Sequence, residues 1–357
     1  MTRIAAVGSA LGPHLYPQSD ITRAFGALVV PDPARRGLLE RFHEASGVQT
    51  RHLALPLDAY AELDGFTAAN DAFLRVGVQL AQAAFTQALE AAGIRADEVD
   101  LVMSVTVTGV AAPSLDARLV PRLGLRPDVR RIPVFGLGCV AGAAGIARLH
   151  DYLVGHPDDV AVLLSVELCS LTVQKDDAST ANLVASGLFG DGAAAVVLVG
   201  ERRARSMGLA GPTVVATRSR FYPDTERVMG WDIGGSGFRI VLSASVADVV
   251  EANLGQDVKE FLGAAPGGSL DLADVRHWIA HPGGPKVLEA MTRALALPDG
   301  ALDVTWRSLA AIGNLSSGSV LHVLRDTMAH SATGTGAPAV LMAMGPGFCA
   351  ELVLLRW

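Results

Sequence analysis

Three short segments of this chain share one plan, in which an apolar, strand-like stretch breaks at small residues and a helical pattern follows. VFGLGCVAGAAGIARL carries Cys139, WIAHPGGPKVLEAM carries His281, and IGNLSSGSVLHVL carries Asn314. Strands that alternate with helices predict an α/β fold. A thiol, an imidazole and a carboxamide presented in this way can form a thiolate, hold an acyl thioester and stabilise an oxyanion.

The composition predicts large buried sheets and argues against several classes of function. Of the 357 residues, 50% are hydrophobic and 18% charged, and the mean hydropathy is +0.36. This length exceeds the usual size of one core, and a polar stretch at 202–213 suggests two α/β halves, residues 1–205 and 206–357. No apolar run approaches the ~18 residues of a membrane span. The net charge of −7 and the lack of a basic stripe argue against nucleic acid as a partner.

The cysteines and the N-terminus predict the compartment. Cys139, Cys169 and Cys349 lie far apart and are odd in number, which favours free thiols over a disulfide framework. The N-terminus lacks a charged region followed by an apolar one, so we expect no signal peptide. Together these features predict a cytoplasmic protein.

Each of the three candidate catalytic residues also has an ordinary structural interpretation. Cys139 could pack as a small hydrophobic residue, His281 could be a loop histidine, and Asn314 could cap the following helix. Together they would also fit a Cys-His-Asn hydrolase of the papain type. That fold is usually disulfide-bearing, however, and it does not need the Gly-Pro-Gly hinge found near this C-terminus.

Five motifs, spread over nearly the full length, carry a family resemblance. They are GCVAGA around Cys139, LFGDGAAA at 188–195, IAHPGGP at 279–285, GNLSSG at 313–318 and MGPGF at 344–348. In order and spacing the chain resembles the chalcone synthase-like, or type III, polyketide synthases of the thiolase superfamily. FGDGA occurs throughout that superfamily, whereas HPGGP paired with GPGF is specific. The resemblance implies a thiolase fold, layered αβαβα and built from two similar halves, in a homodimer.

The resemblance also implies roles for individual residues. Cys139 would accept the acyl group, His281 would hold it as a thiolate, and His281 with Asn314 would polarise the malonyl-CoA thioester carbonyl during decarboxylation. A following helix N-terminus favours the thiolate too, so we predict a thiolate–imidazolium pair and a pKa of Cys139 below its ~8.5 reference. Phe189 matches the aromatic gatekeeper between the CoA tunnel and the reaction cavity, although it could be a core residue. Gly345-Pro346-Gly347 matches the loop that shapes the cyclisation cavity.

The chain departs from plant members of the family at the region where CoA phosphates dock. Plant members carry several basic residues there, whereas the stretch ERFHEASGVQTRH retains Arg41 and Arg51. From the resemblance, we expect Arg41 to contact CoA.

The predicted cavity lining also departs from the plant pattern. Val107 replaces a hydroxyl residue, Ala112 replaces a methionine, and Cys169 replaces a further hydroxyl, while Thr108 and Thr172 keep theirs. A smaller and more apolar lining favours an aliphatic starter. The stretch SRFYPDTERVMGWDIGGSGFRIVLS likewise resembles bacterial members that make alkylresorcinols and alkylpyrones.

We therefore expect an acyltransferase that loads an acyl-CoA starter, of fatty acyl type, on Cys139. It would extend the starter by decarboxylative condensation with malonyl-CoA and cyclise it to an alkylresorcinol or alkylpyrone, without a metal or organic cofactor. The alternatives are an initiating β-ketoacyl-ACP synthase, a synthase of another small aromatic product, and an inactive thiolase-like partner subunit. The GPGF and PGGP motifs argue against the first, and the presence of all three reactive residues argues against the last.

Overall fold

The computed structural model describes residues 1–175, 177–330 and 336–357. The strands in these ranges are β1 (Thr2–Leu11), β2 (His14–Pro17), β3 (Thr50–Leu53), β4 (Leu101–Thr106), β5 (Arg130–Phe135), β6 (Val160–Leu168), β7 (Asp191–Val199), β8 (Thr213–Phe221), β9 (Met229–Gly234), β10 (Gly237–Leu242), β11 (His277–Ala280), β12 (Pro338–Gly345) and β13 (Cys349–Arg356). The helices are α1 (Gln18–Val29), α2 (Gly37–Ala45), α3 (Ala59–Glu62), α4 (Gly65–Ala92), α5 (Leu115–Leu123), α6 (Ala141–Gly155), α7 (Thr180–Leu188), α8 (Glu201–Met207), α9 (Val246–Gly263), α10 (Pro285–Leu295), α11 (Asp303–Ile312) and α12 (Ser319–His330). None of these helices is both long and apolar enough to cross a membrane.

Nine strands form one sheet, in the order β11-β12-β13-β8-β1-β7-β6-β4-β5. The N-terminal half contributes β1 and β4–β7, and the C-terminal half contributes β8 and β11–β13. The halves join where β1 pairs with β8 through only two residue pairs, Thr2 with Val214 and Arg3 with Thr213. The predicted boundary between residues 205 and 206 falls inside α8, just before this junction.

The two halves of the sheet share the helices α6 and α12 between them, and each half is covered by further helices on its other face, which gives five layers. Along β7 the odd-numbered residues from 193 pack against α4, in a core that also includes residues of α5, and the even-numbered residues from 194 pack against α6 and α12. In the C-terminal half, α6 and α12 cover one face and α9 and α10 cover the other. Alternate side chains therefore enter different cores. The predicted αβαβα arrangement is confirmed, with α6 and α12 as the central layer.

Small residues allow the central helix α6 to fit between its neighbours. A Cβ at Gly142 would lie 2.4 Å from Ser317 O, and a Cβ at Gly145 would lie 2.4 Å from Leu163 Cδ1. Larger side chains at these positions would force the helix away from the sheet and from α12. The close fit fixes the start of α6, where the chain presents Cys139.

Two of the predicted boundaries agree with the structure. Gly93 ends α4 in the left-handed conformation, at φ 65°, as expected for a glycine after a helix. β12 and β13 form an antiparallel pair that reverses at Gly345–Gly347, as predicted.

Candidate active site

The turn that presents Cys139 connects β5 to α6 and depends on glycine. Gly138 has a φ of +56°, a conformation that non-glycine residues rarely adopt. A Cβ on Gly138 would also lie 2.7 Å from Pro346 Cδ. The following single turn, Gly138–Val140, places the cysteine directly before α6, and only 6% of its surface is exposed. The thiol lies 3.8 Å from Ser316 Oγ.

His281 lies at the end of β11, as predicted. Its backbone N–H donates to Met342 O at 2.9 Å, so the histidine extends the pairing of β11 with β12 by one bond. The side chain is 3% exposed. Neither ring nitrogen has a hydrogen-bond partner among the described residues, so both are free to interact with a bound substrate.

Asn314 is held through its backbone and through one side-chain atom. Its N–H donates to Leu188 O at 2.9 Å, and its carbonyl accepts from Gly190 N–H at 2.9 Å. Its Oδ1 accepts from Ser316 N–H at 2.8 Å and from Ser319 Oγ at 3.3 Å. The oxygen thus serves the turn before α12, and the Nδ2 amide remains available as a donor to a bound carbonyl.

The element before Asn314 differs from the predicted one. The sequence pattern predicts a strand there, but residues Asp303–Ile312 form the helix α11. A short apolar run such as SLAAI has no periodicity that separates a strand from a buried helix. The prediction of a strand is wrong, although the turn after it still presents Asn314.

The three residues line two small adjacent cavities, which we call the first lobe and the second lobe. Cys139, Phe189 and Met229 line both lobes. The first lobe is completed by Val107, Thr108, Gly138, Cys169, Gly230, Trp231, Ile240, Ser316 and Pro346. The second is completed by Leu188, Leu242, Val246, His281, Gly283, Val287, Met291, Asn314, Met344 and Phe348. Both are narrow, since the centre of a water molecule can move within only ≈ 40 Å³ of the first lobe and ≈ 30 Å³ of the second.

Several of the predicted substrate-binding residues lie at this cavity. Thr108, Cys169 and Pro346 line the first lobe, and Phe189 lies where the two lobes meet. The Thr108 hydroxyl is already engaged, since it donates to Glu167 Oε2 at 2.9 Å. Gly345 and Gly347 flank Pro346, and a Cβ on Gly345 would lie 2.7 Å from the backbone nitrogen of Val140. The loop 345–347 therefore packs directly against the turn that carries Cys139.

Other predicted residues lie away from the cavity of the single chain. Ala112 is exposed in the loop after β4 and lines neither lobe. Thr172 donates its hydroxyl to Cys169 O at 2.8 Å and so closes the local turn. Arg41 is exposed on α2 and also lines neither lobe. Arg51, the other basic residue of that stretch, is fully buried, so its guanidinium is inaccessible to a CoA phosphate in this structure.

Glu167 and Ser316 were not identified from the sequence. Glu167 is fully buried beside the first lobe, where it accepts bonds from Thr108, from the Val107 N–H and from Ser317 Oγ. Burial raises the pKa of this carboxyl. Ser316 has a φ of +48°, an uncommon value for a residue other than glycine. A glutamate at the end of an otherwise apolar strand was the available signal for this network.

The protonation states of the thiol and imidazole differ from the predicted ion pair. Burial raises the pKa of the Cys139 thiol to about 12, against a smaller lowering effect of the Ser316 hydrogen bond. Burial lowers the pKa of His281 to about 3. The predicted lowering of the cysteine pKa is wrong for this structure, because loss of water outweighs the hydrogen bonds that favour the thiolate. At neutral pH both groups are therefore uncharged in the site without substrate.

Comparisons with known proteins identify the family. Residues 1–202 match the N-terminal domain of the chalcone and stilbene synthases, and residues 213–357 match their C-terminal domain. The chain belongs to the chalcone and stilbene synthase family. It is a type III polyketide synthase, as the motifs predict, and so an acyltransferase that uses acyl-CoA and malonyl-CoA in decarboxylative condensation.

Individual relatives support this membership over the full length of the synthase. This chain is 59% identical to a 1,3,6,8-tetrahydroxynaphthalene synthase from Streptomyces peucetius subsp. caesius, over 100% of this chain and 93% of that protein. A second enzyme of that name, from Streptomyces coelicolor, is 33% identical over 89% of this chain and 82% of its own. The crystal structure of the 1,3,6,8-tetrahydroxynaphthalene synthase from Streptomyces coelicolor A3(2) is 30% identical, with a TM-score of 0.91 over 99% of both chains. The predicted thiolase fold is thereby confirmed.

Proposed function

We propose that this synthase makes a small polyhydroxylated aromatic polyketide of the tetrahydroxynaphthalene kind. The observation that carries this proposal is the 59% identity to a 1,3,6,8-tetrahydroxynaphthalene synthase across the whole chain. A naphthalene with hydroxyls on alternate carbons has the oxidation pattern of a chain built only from malonyl-derived units. Malonyl-CoA would then serve as both starter and extender, in place of the fatty acyl starter expected from the cavity lining.

The site residues support a stepwise mechanism. In loading, the Cys139 thiol would give its proton to His281 and attack the thioester carbonyl, and CoA would leave as the thiol. In extension, the C–CO₂ bond of malonyl-CoA would break and CO₂ would leave. The electron pair forms an enolate whose oxygen would accept hydrogen bonds from Asn314 Nδ2 and from a ring N–H of His281, which is neutral again once CoA has left as the thiol. The enolate carbon would then attack the acyl group on Cys139, and this restores the thiolate.

The residues that line the two lobes support different roles for them in substrate binding. The second lobe contains His281 and Asn314 together with the apolar residues Val246 and Val287, so it suits the thioester end and pantetheine arm of malonyl-CoA. The first lobe contains Cys139 and Pro346 without the other two catalytic candidates, so it suits the growing chain. Its small volume favours a short chain over a long alkyl chain.

A fatty acyl starter remains the second candidate, since one observation favours it. Val107, Cys169 and Ile240 give the first lobe an apolar wall. Each methylene buried against such a wall contributes about 0.8 kcal/mol. This chemistry would yield the alkylresorcinol or alkylpyrone expected from the sequence.

The product assay separates the two candidates. Purified enzyme is incubated with malonyl-CoA alone and with malonyl-CoA plus octanoyl-CoA or coumaroyl-CoA, and the products are identified by mass spectrometry. We expect malonyl-CoA alone to give a polyhydroxylated aromatic compound with the highest kcat/KM. A product that contains the octanoyl chain, formed with higher kcat/KM, would instead establish the fatty acyl starter.

The free edge of β5 supports the expected homodimer. β5 ends the sheet, and Val110, Ile132 and Phe135 beside this edge are 41%, 43% and 44% exposed. An apolar sheet edge of this kind is a ready surface for another strand. We propose a second copy of the chain as its occupant, paired about a two-fold axis. The exposed Ala112 would then approach the partner.

Sedimentation velocity tests this interface. Phe135→Glu places a charge on the edge, and we expect the variant to sediment as a monomer because burial of an unpaired charge is costly. Val154→Glu is the matched control, since Val154 is also apolar and exposed, at 62%, but lies at the end of α6. The proposal fails if wild-type protein is a monomer, or if Phe135→Glu and Val154→Glu both sediment as dimers.

A further inference from the structure

The C-terminal end of α7 lies against the site and has an unusual set of caps. The last carbonyls of a helix have no partner within it and need one from elsewhere. Arg51 donates through Nη2 to Ser186 O at 2.8 Å and through Nη1 to Phe189 O at 2.7 Å. Gln18 donates to the carbonyl between them, Gly187 O, at 2.7 Å. Its own Oε1 accepts from Arg51 Nε at 3.0 Å, so the two side chains act as one unit.

The remaining carbonyl at this helix end is capped by Asn314. Leu188 O accepts from the Asn314 N–H, and the Gly190 N–H donates back to Asn314 O, both at 2.9 Å. Arg51 and Asn314 therefore both hold the same short segment, residues 186–190. That segment includes Phe189, where the two lobes meet.

The contact between the two sides is tight. A Cβ on Gly313, the residue before Asn314, would lie 2.7 Å from Leu188 O and 3.2 Å from Arg51 Cδ. There is therefore little free space between the Arg51 side chain and the backbone of residues 313–314, so a shift of the side chain would displace that backbone. The position of the Arg51 side chain therefore affects the position of the Asn314 carboxamide.

The positive charge of Arg51 also favours its place at the C-terminal end of α7. Its side chain is fully buried, and its guanidinium donates to Gln18 Oε1, Ser186 O and Phe189 O, none of which carries a charge. Burial lowers its pKa to about 10, while Asp191 acts in the opposite direction. The guanidinium therefore stays protonated at neutral pH, where it complements the partial negative charge of the α7 C-terminus.

We infer that Arg51 is a positioning residue that fixes the 186–190 segment and, through it, the carboxamide of Asn314 and the ring of Phe189. The inference rests on the proposed role of Asn314 in decarboxylation. It replaces the CoA contact considered for this region, because a buried guanidinium with all three nitrogens bonded internally has no access to a phosphate. Arg51 touches no reacting atom, so its effect on malonyl-CoA decarboxylation should pass through Asn314, the residue of this segment proposed to act in that step.

The test is a double-mutant cycle on malonyl-CoA decarboxylation, with kcat and KM measured separately. Arg51→Lys keeps the charge but cannot reach Ser186 and Phe189 with a planar fork. We expect kcat to fall by about 10- to 100-fold, because sub-ångström displacement of a catalytic group has effects of this order, with KM within about twofold. In an Asn314→Ala background the same change should alter kcat less than about twofold, since the residue it positions is gone.

Two controls separate positioning from general stability. Arg36→Lys is the matched control variant. Arg36 also donates to two main-chain carbonyls, Val30 O and Pro31 O, but these follow helix α1 and not α7. This variant should leave kcat unchanged. Alkylation of Cys139 by iodoacetamide should keep its rate in Arg51→Lys, since β5 and α6 hold the thiol. If Arg51→Lys does not fold, Gln18→Met removes the partner of Arg51 Nε and should lower kcat in the same way.

The outcomes are distinguishable. Equal losses from Arg51→Lys in wild-type and Asn314→Ala backgrounds, or an equal loss in Arg36→Lys, would overturn the inference and leave the proposed function standing. An unchanged decarboxylation rate in Asn314→Ala alone would overturn the proposed role of Asn314, and the inference with it.

Discussion

Cys139→Ala is expected to abolish both the covalent acyl adduct and product formation. Cys139 is the one cysteine that lines both lobes, beside His281 and Asn314, whereas Cys169 lines only the first lobe and Cys349 lines neither. Without the thiol there is no nucleophile for the starter, so condensation should fall to the uncatalysed level. Intact-mass analysis after incubation with malonyl-CoA measures the adduct, and product formation is followed in parallel.

Cys139→Gln separates loading from decarboxylation. His281 and Asn314 remain in the second lobe of this variant, so release of CO₂ from malonyl-CoA should persist while condensation is lost. Cys169→Ala and Cys349→Ala serve as matched controls and should still gain the adduct. An adduct on Cys139→Ala would show that another residue is the nucleophile.

The elements that carry Cys139 and His281 were predictable because their signals are local. An apolar run followed by glycine and then by a helical pattern indicates strand, turn and helix within one short window. The same logic predicted the reversal at Gly345–Gly347. It failed before Asn314, where a short apolar run forms the helix α11 rather than a strand.

The environment of each side chain was not predictable in the same way, because it depends on distant residues. Arg51 is buried by partners 33, 135 and 138 positions away in the chain. No local pattern indicates whether such an arginine faces solvent or caps a helix. Ala112 matches a cavity position in the family, yet in this chain it is exposed beside the β5 edge, so its surroundings depend on what covers that edge.

The narrow cavity explains why the sequence also led to the wrong pKa for Cys139. A helix N-terminus and a nearby histidine both favour the thiolate, and both features are visible in sequence. These two effects are opposed by the free energy needed to remove the thiolate charge from water. That free energy depends on how far β12, α12 and the loop 345–347 bury the thiol. That burial is a tertiary property, and here it dominates.

The reactivity of Cys139 towards iodoacetamide should therefore rise with pH without reaching a plateau below pH ~9. The thiolate fraction of a thiol whose pKa is about 12 grows by about tenfold for each pH unit below that value. His281, with its pKa lowered to about 3, changes no charge over this range. Because the imidazole is neutral throughout, His281→Ala should leave the slope unchanged in the enzyme without substrate. It should nevertheless lower condensation by about 10²- to 10⁴-fold, since a base for the thiol is lost. Rates of inactivation between pH 6 and pH 9, confirmed by peptide mapping of the alkylated residue, provide the measurement. A plateau at low pH that disappears in His281→Ala would instead establish a resting thiolate–imidazolium pair and overturn this prediction.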